Sequence, residues 1–483
     1  MTKYLNESLG IWIFSFTISF ICLSFFATTI SPFTLDEGCD SCVFKQMGLT
    51  ILSGKIPYLS LFDHKGPILY FINAIGLGIG GRFGLFMLSV INLTIVLRLW
   101  YAIAKHYVSG ALSFLPVLIT LLFYLRVMEG GNLTEDWCLL PLSYSLYLAS
   151  RMLVHKVSPS FVDSLFLGMS AGIILFIRVN NSALLVCAFI LIGYLSISYR
   201  TYKNLFNNMM GMILGFAFVV ISVLLFFFFN YGQVGVTEML YGTFFFNFEY
   251  YQYHNMGFLK FFLANSGIFN VFFLFPILLC FNLYKKRNKG DRIAFMFFLL
   301  SFVFCYVTMG KATLIHYLVV VVPLIVMSIS YAFKDQKRNY VLCILLTLLL
   351  FSPYYYRVFK LNFGFSNRKE LCDLFQKTDS AIDSMDENEK NQIWNYNTYF
   401  TGIQILQHKK LTQCNRVVLD FQLKVSDKLK RSEKDKLISL KPRYIILDST
   451  RPHIDKEDSL FIVQNYYIKD NISNRIIMYA IRD

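Results

Sequence analysis

The chain has 483 residues, of which 56% are hydrophobic, and it includes 50 Phe and 30 Tyr. A mean hydropathy of +0.52 excludes an ordinary soluble domain and predicts a polytopic membrane protein. The net charge of +15 would suit a nucleic-acid-binding protein, but the cations lie mainly in short loops between apolar runs and in the C-terminal part. No nucleic-acid-binding motif accompanies them, so we expect the bilayer as a partner and no nucleic acid.

Apolar runs of spanning length follow one another from residue 11 to residue 357. A spanning helix needs roughly 20 mostly apolar residues, and about eleven runs meet this criterion. They are 11–31, 83–104, 109–126, 137–154, 161–177, 182–199, 206–230, 263–284, 292–309, 314–333 and 340–357. The Gly-rich stretch 67–80 is shorter, so we expect it to lie in the interface or to re-enter. The predicted fold is all-α, with about eleven transmembrane helices plus interfacial helices.

Basic residues in the short loops predict the orientation, because such loops stay cytoplasmic. If stretch 67–80 does not cross, every basic cluster falls on one side. These clusters are Lys105; Arg151 and Lys156; Arg200 and Lys203; Lys285, Lys286, Arg287, Lys289 and Arg292; and Lys334, Lys337 and Arg338. The N-terminus is then cytoplasmic, and the loop at residue 36 and the C-terminal region are extracytoplasmic.

The composition changes once, after residue 360. Long apolar runs end there, and β-like stretches at 392–396, 416–421, 443–447 and 475–479 alternate with helical ones. We predict a transmembrane domain over 1–360 and a small extracytoplasmic α/β domain over 361–483. The second domain has no phosphate-binding Gly-rich loop and no nucleophile constellation, so we expect it to be structural or to guide an acceptor.

Acids and cations gather in the loops predicted to be extracytoplasmic. The candidates are Asp36, Glu37, Asp63, His64, Lys65, Glu135, Asp136, Arg178, Lys311, His316 and Tyr317. A carboxylate can accept the proton of an acceptor hydroxyl, while cations stabilise a departing phosphate. Together they are the parts needed to transfer a group from a lipid-linked phosphate donor at the membrane surface.

Each candidate also has a simpler explanation. Asp36 at a helix end can be merely solvated, and Lys65 and Arg178 can be basic residues that snorkel to the interface. His316 can be an interfacial or satisfied polar residue. Glu135 and Asp136 can be helix N-terminal acids favoured by the helix dipole.

Five motifs give the membrane part, about three quarters of the chain, a resemblance to a known family. They are Thr34-Leu35-Asp36-Glu37, Gly54-x-x-Pro57-Tyr58, Phe62-Asp63-His64-Lys65-Gly66-Pro67, Arg178-x-Asn180-Asn181, and His316-Tyr317 six residues before Pro323. In these the chain resembles the bacterial branch of the GT-C superfamily, the protein-O-mannosyltransferase-like and aminoarabinose-transferase-like membrane glycosyltransferases. Gly38 and Cys39 depart from the pattern, since the family has bulkier residues there.

The resemblance implies a glycosyltransferase of the bacterial inner membrane that acts in cell-envelope glycan biosynthesis. It would move a hexose or pentose from a polyprenyl phosphate to an extracytoplasmic glycan, lipid or protein by inverting displacement. Asp36 resembles the general base and Glu37 its partner, while Lys65 stands where the family has a cation near the donor phosphate. His64, Arg178, Lys311, His316 and Tyr317 are further candidates for donor binding, and Asp63, Glu135 and Asp136 for a second acid.

The resemblance also implies that no metal is obligatory, because the donor is a monophosphate. A divalent cation remains an alternative if Asp36, Glu37 and Glu135 converge.

Two other functions stay open at the level of sequence. A transporter or flippase of a lipid-linked saccharide would carry charge near the middle of its spans, whereas the acids here cluster towards one side. This pattern favours an enzyme. A non-catalytic subunit with the same scaffold would look much the same in sequence.

Overall fold

The computed structural model describes residues 2–34, 40–253, 289–308, 314–333, 337–363, 365–396, 398, 400–417, 419–450, 456–473 and 475–482. Most of them are helical. The longer helices before residue 254 are Thr2–Phe26, Asp40–Leu52, Pro67–Lys105, Phe114–Val127, Thr134–His155, Phe161–Arg178, Ala183–Ser198, Tyr202–Leu240 and Phe246–Tyr253. Those after residue 288 are Lys289–Thr308, Val322–Ala332, Lys337–Phe363, Phe365–Asp383, Phe400–His408, Asp427–Leu440 and Lys456–Asn465.

Seven apolar stretches of the described residues are long enough to cross a membrane. They are Leu9–Phe26, Pro67–Lys105, Gly110–Val127, Phe161–Ser198, Asn204–Tyr250, Ile315–Ala332 and Lys337–Lys360, and the apolar helix Arg292–Thr308 is shorter. The predicted polytopic helical architecture is therefore confirmed. The number of eleven spans stays a prediction, because run 263–284 lies outside the described residues.

Two glycine positions interrupt the longest helices. Gly81 has φ +60°, a left-handed conformation that glycine adopts without strain, and with Gly80 it breaks the helix Pro67–Lys105. Gly232, at φ +64°, breaks Tyr202–Leu240 in the same way. The first break separates stretch 67–80 from the predicted span at 83–104. The placement of this stretch against a bilayer stays a prediction.

The chain divides into two compact units. The first comprises Met1–Ala27, Phe86–Leu224 and Asn255–Phe359, and the second comprises Thr28–Leu85, Leu225–His254 and Lys360–Asp483. The division at residue 360 that the sequence suggests stays a prediction. In the first unit Trp100 is fully buried, and its Nε1 donates to Ser143 Oγ at 2.9 Å, joining helices Pro67–Lys105 and Thr134–His155.

A four-stranded sheet lies in the second unit. Its strands are β1 (Ile393–Tyr396), β2 (Tyr444–Asp448), β3 (Tyr466–Asn471) and β4 (Ile476–Ile481), in the order β1-β2-β4-β3. Strands β1 and β2 run parallel, whereas β4 runs antiparallel to both of its neighbours. Two apolar clusters bury side chains of alternate strand positions, including Ile446 in one and Ile445 in the other. The predicted small α/β domain is confirmed as a fold.

One of the predicted strands is wrong. Residues 416–421 form a single bridge from Val417 to Phe62, and a short helix, Asp420–Val425, begins immediately after. The Val417 carbonyl accepts hydrogen bonds from the side-chain amides of Asn415, at 2.6 Å, and Gln413, at 3.2 Å. Side chains thus satisfy backbone groups that a strand would pair with a neighbour.

Helix Asp40–Leu52 and the loop after it pack against residues 407–412 of the second unit. Gln407 Nε2 donates to the Cys42 carbonyl at 2.5 Å, and Gln46 Nε2 donates to the Leu411 carbonyl at 2.9 Å. Lys55 Nζ donates to Thr412 Oγ1 at 2.6 Å. The predicted first extracytoplasmic loop and the C-terminal region are therefore parts of one unit.

Candidate functional site

Three predicted site residues, Asp36, Glu37 and Lys311, lie outside the described residues. The segment just before the acidic pair is described, and two cations hold it. Arg82 donates to the carbonyls of Thr28, at 2.8 Å, and Thr34, at 2.9 Å, while Lys45 Nζ donates to the Thr29 carbonyl at 3.0 Å. The other candidates form two groups, one in each unit.

The group in the second unit, here called the Asp63 cluster, consists of Asp63, His64, Lys65 and Tyr70. Pro67 opens the following helix, where its fixed φ suits the first turn. Tyr70, one turn further on, donates from its hydroxyl to Asp63 Oδ2 at 2.7 Å. The same hydroxyl accepts from the Lys65 backbone N–H at 3.1 Å. The predicted residues Asp63, His64 and Lys65 are thus brought together with a tyrosine that sequence reasoning missed.

His64 lies between the Lys65 ammonium and the Asp63 carboxylate of this cluster. Lys65 Nζ lies 2.5 Å from His64 Nε2, and His64 Nδ1 lies 3.2 Å from Asp63 Oδ1. An ammonium group has only donors, so Nε2 accepts and the imidazole proton sits on Nδ1, facing the carboxylate. Burial favours the protonated form of Asp63, but the hydrogen bond from His64, the charge of Lys65 and the hydrogen bond from Tyr70 lower the pKa of Asp63 below its ordinary value.

Tyr58 supports the Asp63 cluster from the preceding turn. It is fully buried with φ +67°, a left-handed conformation that is strained for a bulky residue. Its hydroxyl donates to the Lys65 carbonyl at 2.7 Å and accepts from Thr243 Oγ1 at 3.3 Å. Asn247 Nδ2 donates to the His64 carbonyl at 2.9 Å. The backbone of the cluster is therefore fixed on both sides.

The helical segment that carries Thr243 is a single π-helical turn, Tyr241–Phe245. Such turns are rare and are frequently found at functional sites. Gly242 lies in this turn against Tyr58, and a Cβ atom on Gly242 would stand 2.4 Å from Tyr58 Cδ1. Only glycine allows this close approach.

The group in the first unit, here called the Arg178 cluster, consists of Glu129, Glu135, Arg178, His316 and Tyr317. Arg178 Nη1 pairs with Glu135 Oε1 at 2.6 Å, and the guanidinium lies 4.2 Å above the Tyr317 ring. His316 Nδ1 lies 2.5 Å from Glu129 Oε2. Glu135 is 1% exposed, so a deeply buried carboxylate is neutralised by an arginine that also stacks on an aromatic ring.

Asp136, although next to Glu135, has a different environment. Its Oδ2 accepts from the Leu133 backbone N–H at 2.9 Å, and its Oδ1 accepts from the Tyr124 hydroxyl at 3.0 Å. This is the arrangement of a helix N-terminal cap, one of the two explanations that the sequence left open. The roles of Asp63, Glu135 and Asp136 as a second acid stay predictions.

Within the described residues, no group of three or more His, Cys, Asp or Glu side chains is arranged to hold a metal ion. The acids that the sequence proposed for a cation site include Asp36 and Glu37, which lie outside those residues. The expectation that no metal is obligatory stays a prediction.

Two residues of the two clusters, Tyr70 and Glu129, were not among the sequence candidates. Tyr70 follows the Lys65-Gly66-Pro67 motif by one helical turn, and Glu129 shares a loop with Glu135, so nearness along the chain was an available signal. Glu129 and Asn132 also have positive φ, at +41° and +60°, which marks that loop as strained.

The fold is similar to that of ArnT and of an archaeal oligosaccharyltransferase, in agreement with the fold that the resemblance in sequence implied. The chain superimposes on ArnT from Cupriavidus metallidurans in the apo state with a TM-score of 0.65 at 10% identity, over 98% of each chain. For the same ArnT bound to undecaprenyl phosphate the TM-score is 0.63 at 11% identity, over 97% of this chain and 98% of that one.

The Archaeoglobus fulgidus oligosaccharyltransferase in its apo form gives a TM-score of 0.50 at 12% identity, over 90% of this chain and 69% of that one. No family model matches the chain, and no curated protein does either. At these identities the likeness shows the fold.

Proposed function

We propose that the protein is a membrane glycosyltransferase that moves a hexose or pentose from a polyprenyl-phosphate donor to an extracytoplasmic glycan, lipid or protein. The observation that carries the proposal is the agreement of the whole chain with ArnT, one structure of which is bound to undecaprenyl phosphate. Both parts of the chain, the helical spans and the C-terminal α/β region, take part in that agreement. We place the protein in the bacterial inner membrane, with the site and the C-terminal region extracytoplasmic.

The proposed step is a single inverting displacement. The acceptor oxygen attacks the anomeric carbon and transfers its proton to Asp36, with Glu37 orienting the acceptor. The bond between the anomeric carbon and the phosphate oxygen breaks, and the electron pair leaves with the polyprenyl phosphate. Lys65 supplies positive charge for this leaving group, and its contact with His64 supports this role because it fixes the ammonium at the end of the Asp63 cluster.

Arg178, Lys311, His316 and Tyr317 are further candidates for donor binding. The Arg178 cluster supports this assignment through its partly buried cation and its aromatic ring. No metal ion takes part in the proposed step, because a monophosphate leaving group can be stabilised by side-chain cations alone.

The first experiment measures release of polyprenyl phosphate by the purified protein in liposomes that contain undecaprenyl-phosphate hexoses or pentoses, with an extract of envelope glycans, lipids and proteins supplied as the acceptor. We expect Asp36→Asn to abolish release, because the amide cannot accept the acceptor's proton. Asp470→Asn, at an exposed position of β3, is the matched control and should release at the wild-type rate. Equal release by Asp36→Asn and wild type would remove the proposed base.

A second variant tests the donor site. Lys65→Ala should lower kcat/KM for the donor, since the lost charge serves the phosphate both in the bound donor and as it leaves. An unchanged dependence on donor concentration would remove Lys65 from the site. Mass spectrometry of surface glycans, with and without the gene, would then identify the sugar and the acceptor.

A transporter of lipid-linked saccharide is the alternative function. In the same liposomes it would move the intact donor between leaflets without breaking the sugar–phosphate bond. Donor translocation without release of polyprenyl phosphate would favour the transporter over the enzyme.

A further inference from the structure

The C-terminal region contributes one deeply buried cation, Arg416, to the turn that supports the Asp63 cluster. Arg416 is 6% exposed and follows strand β1 by twenty residues in sequence. Its guanidinium Nε donates to the Tyr58 carbonyl at 2.7 Å, and its Nη2 pairs with Glu238. One side chain thereby joins the Tyr58 turn to the helical segment that follows Gly232.

The backbone of Arg416 is held as firmly as its side chain. The Arg416 carbonyl accepts from the Phe62 N–H at 2.7 Å, and its own N–H points at the Glu433 carboxylate, 3.1 Å from each oxygen. Burial disfavours the charged form of Glu433 and raises the pKa of its carboxyl group. The hydrogen bond from the Arg416 N–H favours the charged form and so opposes part of this effect. Arg416 therefore has little freedom to leave its place.

Further apolar and polar contacts connect the region around Arg416 to Phe62 and Asp63. Phe62, Phe246, Val417 and Leu429 form one buried cluster, with the Arg416 guanidinium 5.3 Å from the Phe62 ring. Gln422, which is fully buried, places its Nε2 3.5 Å from Asp63 Oδ1. Arg416, Val417 and Gln422 thus all contact the segment from Tyr58 to Asp63.

We propose that Arg416 is a positioning residue for sugar transfer: it holds the Tyr58–Lys65 loop, and with it Asp63 and Lys65, in the geometry that the donor requires. The C-terminal region then serves the donor site directly, in addition to any structural or acceptor-guiding role. The inference rests on the proposed function.

The physical basis is the left-handed backbone of Tyr58. A bulky residue keeps this conformation only when its surroundings impose it, and Arg416 bonds the carbonyl of that same residue. A planar guanidinium can serve Tyr58 and Glu238 at once through two different nitrogens. A lysine ammonium on a flexible stem cannot keep both contacts in fixed directions.

The first test follows hydrogen exchange of the full-length protein in lipid nanodiscs. Arg416→Ala and Glu238→Gln should speed the exchange of peptides that cover residues 55–66, because either change releases the turn. Arg475→Ala is the control, because Arg475, like Arg416, is an arginine of the C-terminal region that pairs with an acid. Its partner is Asp448, at 3.0 Å, and Asp448 keeps its hydrogen bonds from Thr450 when Arg475 is removed. Unchanged exchange in both Arg416→Ala and Glu238→Gln would overturn the inference.

The second test compares donor kinetics in liposomes. Arg416→Ala should raise the KM for the polyprenyl-phosphate sugar or lower kcat/KM by about 10- to 100-fold, the cost expected for a displaced site loop. Arg416→Lys should recover part of the loss, and Arg475→Ala should match wild type. Wild-type kinetics in Arg416→Ala, with faster exchange at residues 55–66, would overturn the positioning role.

The two tests separate the failure of this inference from that of the proposed function. If wild-type protein releases no polyprenyl phosphate from any donor in the presence of these acceptors, the proposed function fails. The exchange measurement then still decides whether Arg416 holds the loop, because it requires no turnover. If Arg416→Ala does not fold, the exchange measurement can be made on Glu238→Gln. This variant weakens the same ion pair by removing one charge, and it creates no cavity.

Discussion

Asp63 shows at the scale of a single residue how a buried carboxylate is kept charged. Its folded-state pKa is lowered, so the ionised form stabilises the fold and this contribution is complete above the unfolded pKa of roughly 4. It is lost as the pH falls below that value towards the folded pKa. We predict that the apparent Tm of the wild-type protein drops more steeply below about pH 4 than that of Asp63→Asn.

Thermal unfolding in detergent from pH 3 to pH 7 checks this prediction. Asp470→Asn, which removes an exposed carboxylate, should keep the wild-type acid sensitivity. The interpretation fails if Asp63→Asn and wild type lose stability in parallel as the pH falls.

The ion pair of Arg178 and Glu135 allows a prediction from burial. Removing one partner of a buried pair leaves an uncompensated charge, so Arg178→Ala should destabilise the protein by about 3–5 kcal/mol. Arg151 and Asp163 have the same 2.6 Å separation, but the Asp163 side chain is 22% exposed whereas that of Glu135 is 1% exposed, so Arg151→Ala should cost at most about 1 kcal/mol. Thermal unfolding of the two variants measures the difference.

A rescue variant sharpens this comparison. Glu135→Gln combined with Arg178→Ala should recover stability, because no charge is then left buried alone. If Arg178→Ala and Arg151→Ala unfold at the same temperature, burial does not determine how much each ion pair contributes to stability.

Sequence reasoning at this scale succeeded where partners are neighbours along the chain. Asp63, His64 and Lys65 are adjacent, so a shared site followed directly from the motif. Arg416 and Glu238 were missed because Arg416 stands 358 positions after Tyr58 and 178 after Glu238. No periodicity or motif of a single sequence links such positions.

The π-helical turn Tyr241–Phe245 carries the clearest prediction at the scale of an element. Gly242→Ala should displace Tyr58, since the new Cβ atom would stand 2.4 Å from its ring and 3.2 Å from the Asp63 carbonyl. Sugar transfer should fall by about 10-fold or more, as for other small displacements of a site. Transfer assays in liposomes provide the measurement.

Gly193→Ala is the matched control for this change. Gly193 lies within helix Ala183–Ser198, and nothing would stand within 4 Å of a Cβ atom there. Alanine in an open helical position should be neutral or stabilising by up to about 1 kcal/mol. Equal activity of the two alanine variants would show that the contact with Tyr58 tolerates a methyl group.

Elements were predictable where one local pattern determines them. Long apolar runs placed the helices, as for Phe161–Arg178 against run 161–177, and buried apolar strands such as β2 were found. Strand β3 was missed because most of its residues are exposed or half-buried. The helix breaks at Gly81 and Gly232 depend on backbone conformation that composition alone does not specify.

Orientation in the membrane is a prediction for the whole molecule. We expect Gln464→Cys, exposed on helix Lys456–Asn465, to react with a membrane-impermeant maleimide in intact spheroplasts. Val157→Cys, which is 51% exposed between helices Thr134–His155 and Phe161–Arg178, should react only after permeabilisation. The charged loops motivate both expectations.

The parent protein with its native cysteines supplies the background for this labelling. Labelling of Val157→Cys in intact spheroplasts, with protection of Gln464→Cys, would invert the topology and place the proposed site in the cytoplasm.

At this largest scale the class of protein followed from composition, and the fold followed from the motifs of the membrane part. The two compact units could not be foreseen, because each is assembled from three separate segments of the chain. Local composition changes only once, near residue 360, and so suggested a single boundary.

The bond from Arg416 to Tyr58 has a consequence for biogenesis. During synthesis the first loop reaches its side of the membrane long before residue 416 leaves the ribosome. The hydrogen bond from Arg416 to the Tyr58 carbonyl can therefore form only after most of the chain has been made. A chain that inserts its helices but does not bring residue 416 to the same side of the membrane as Tyr58 would lack this hydrogen bond.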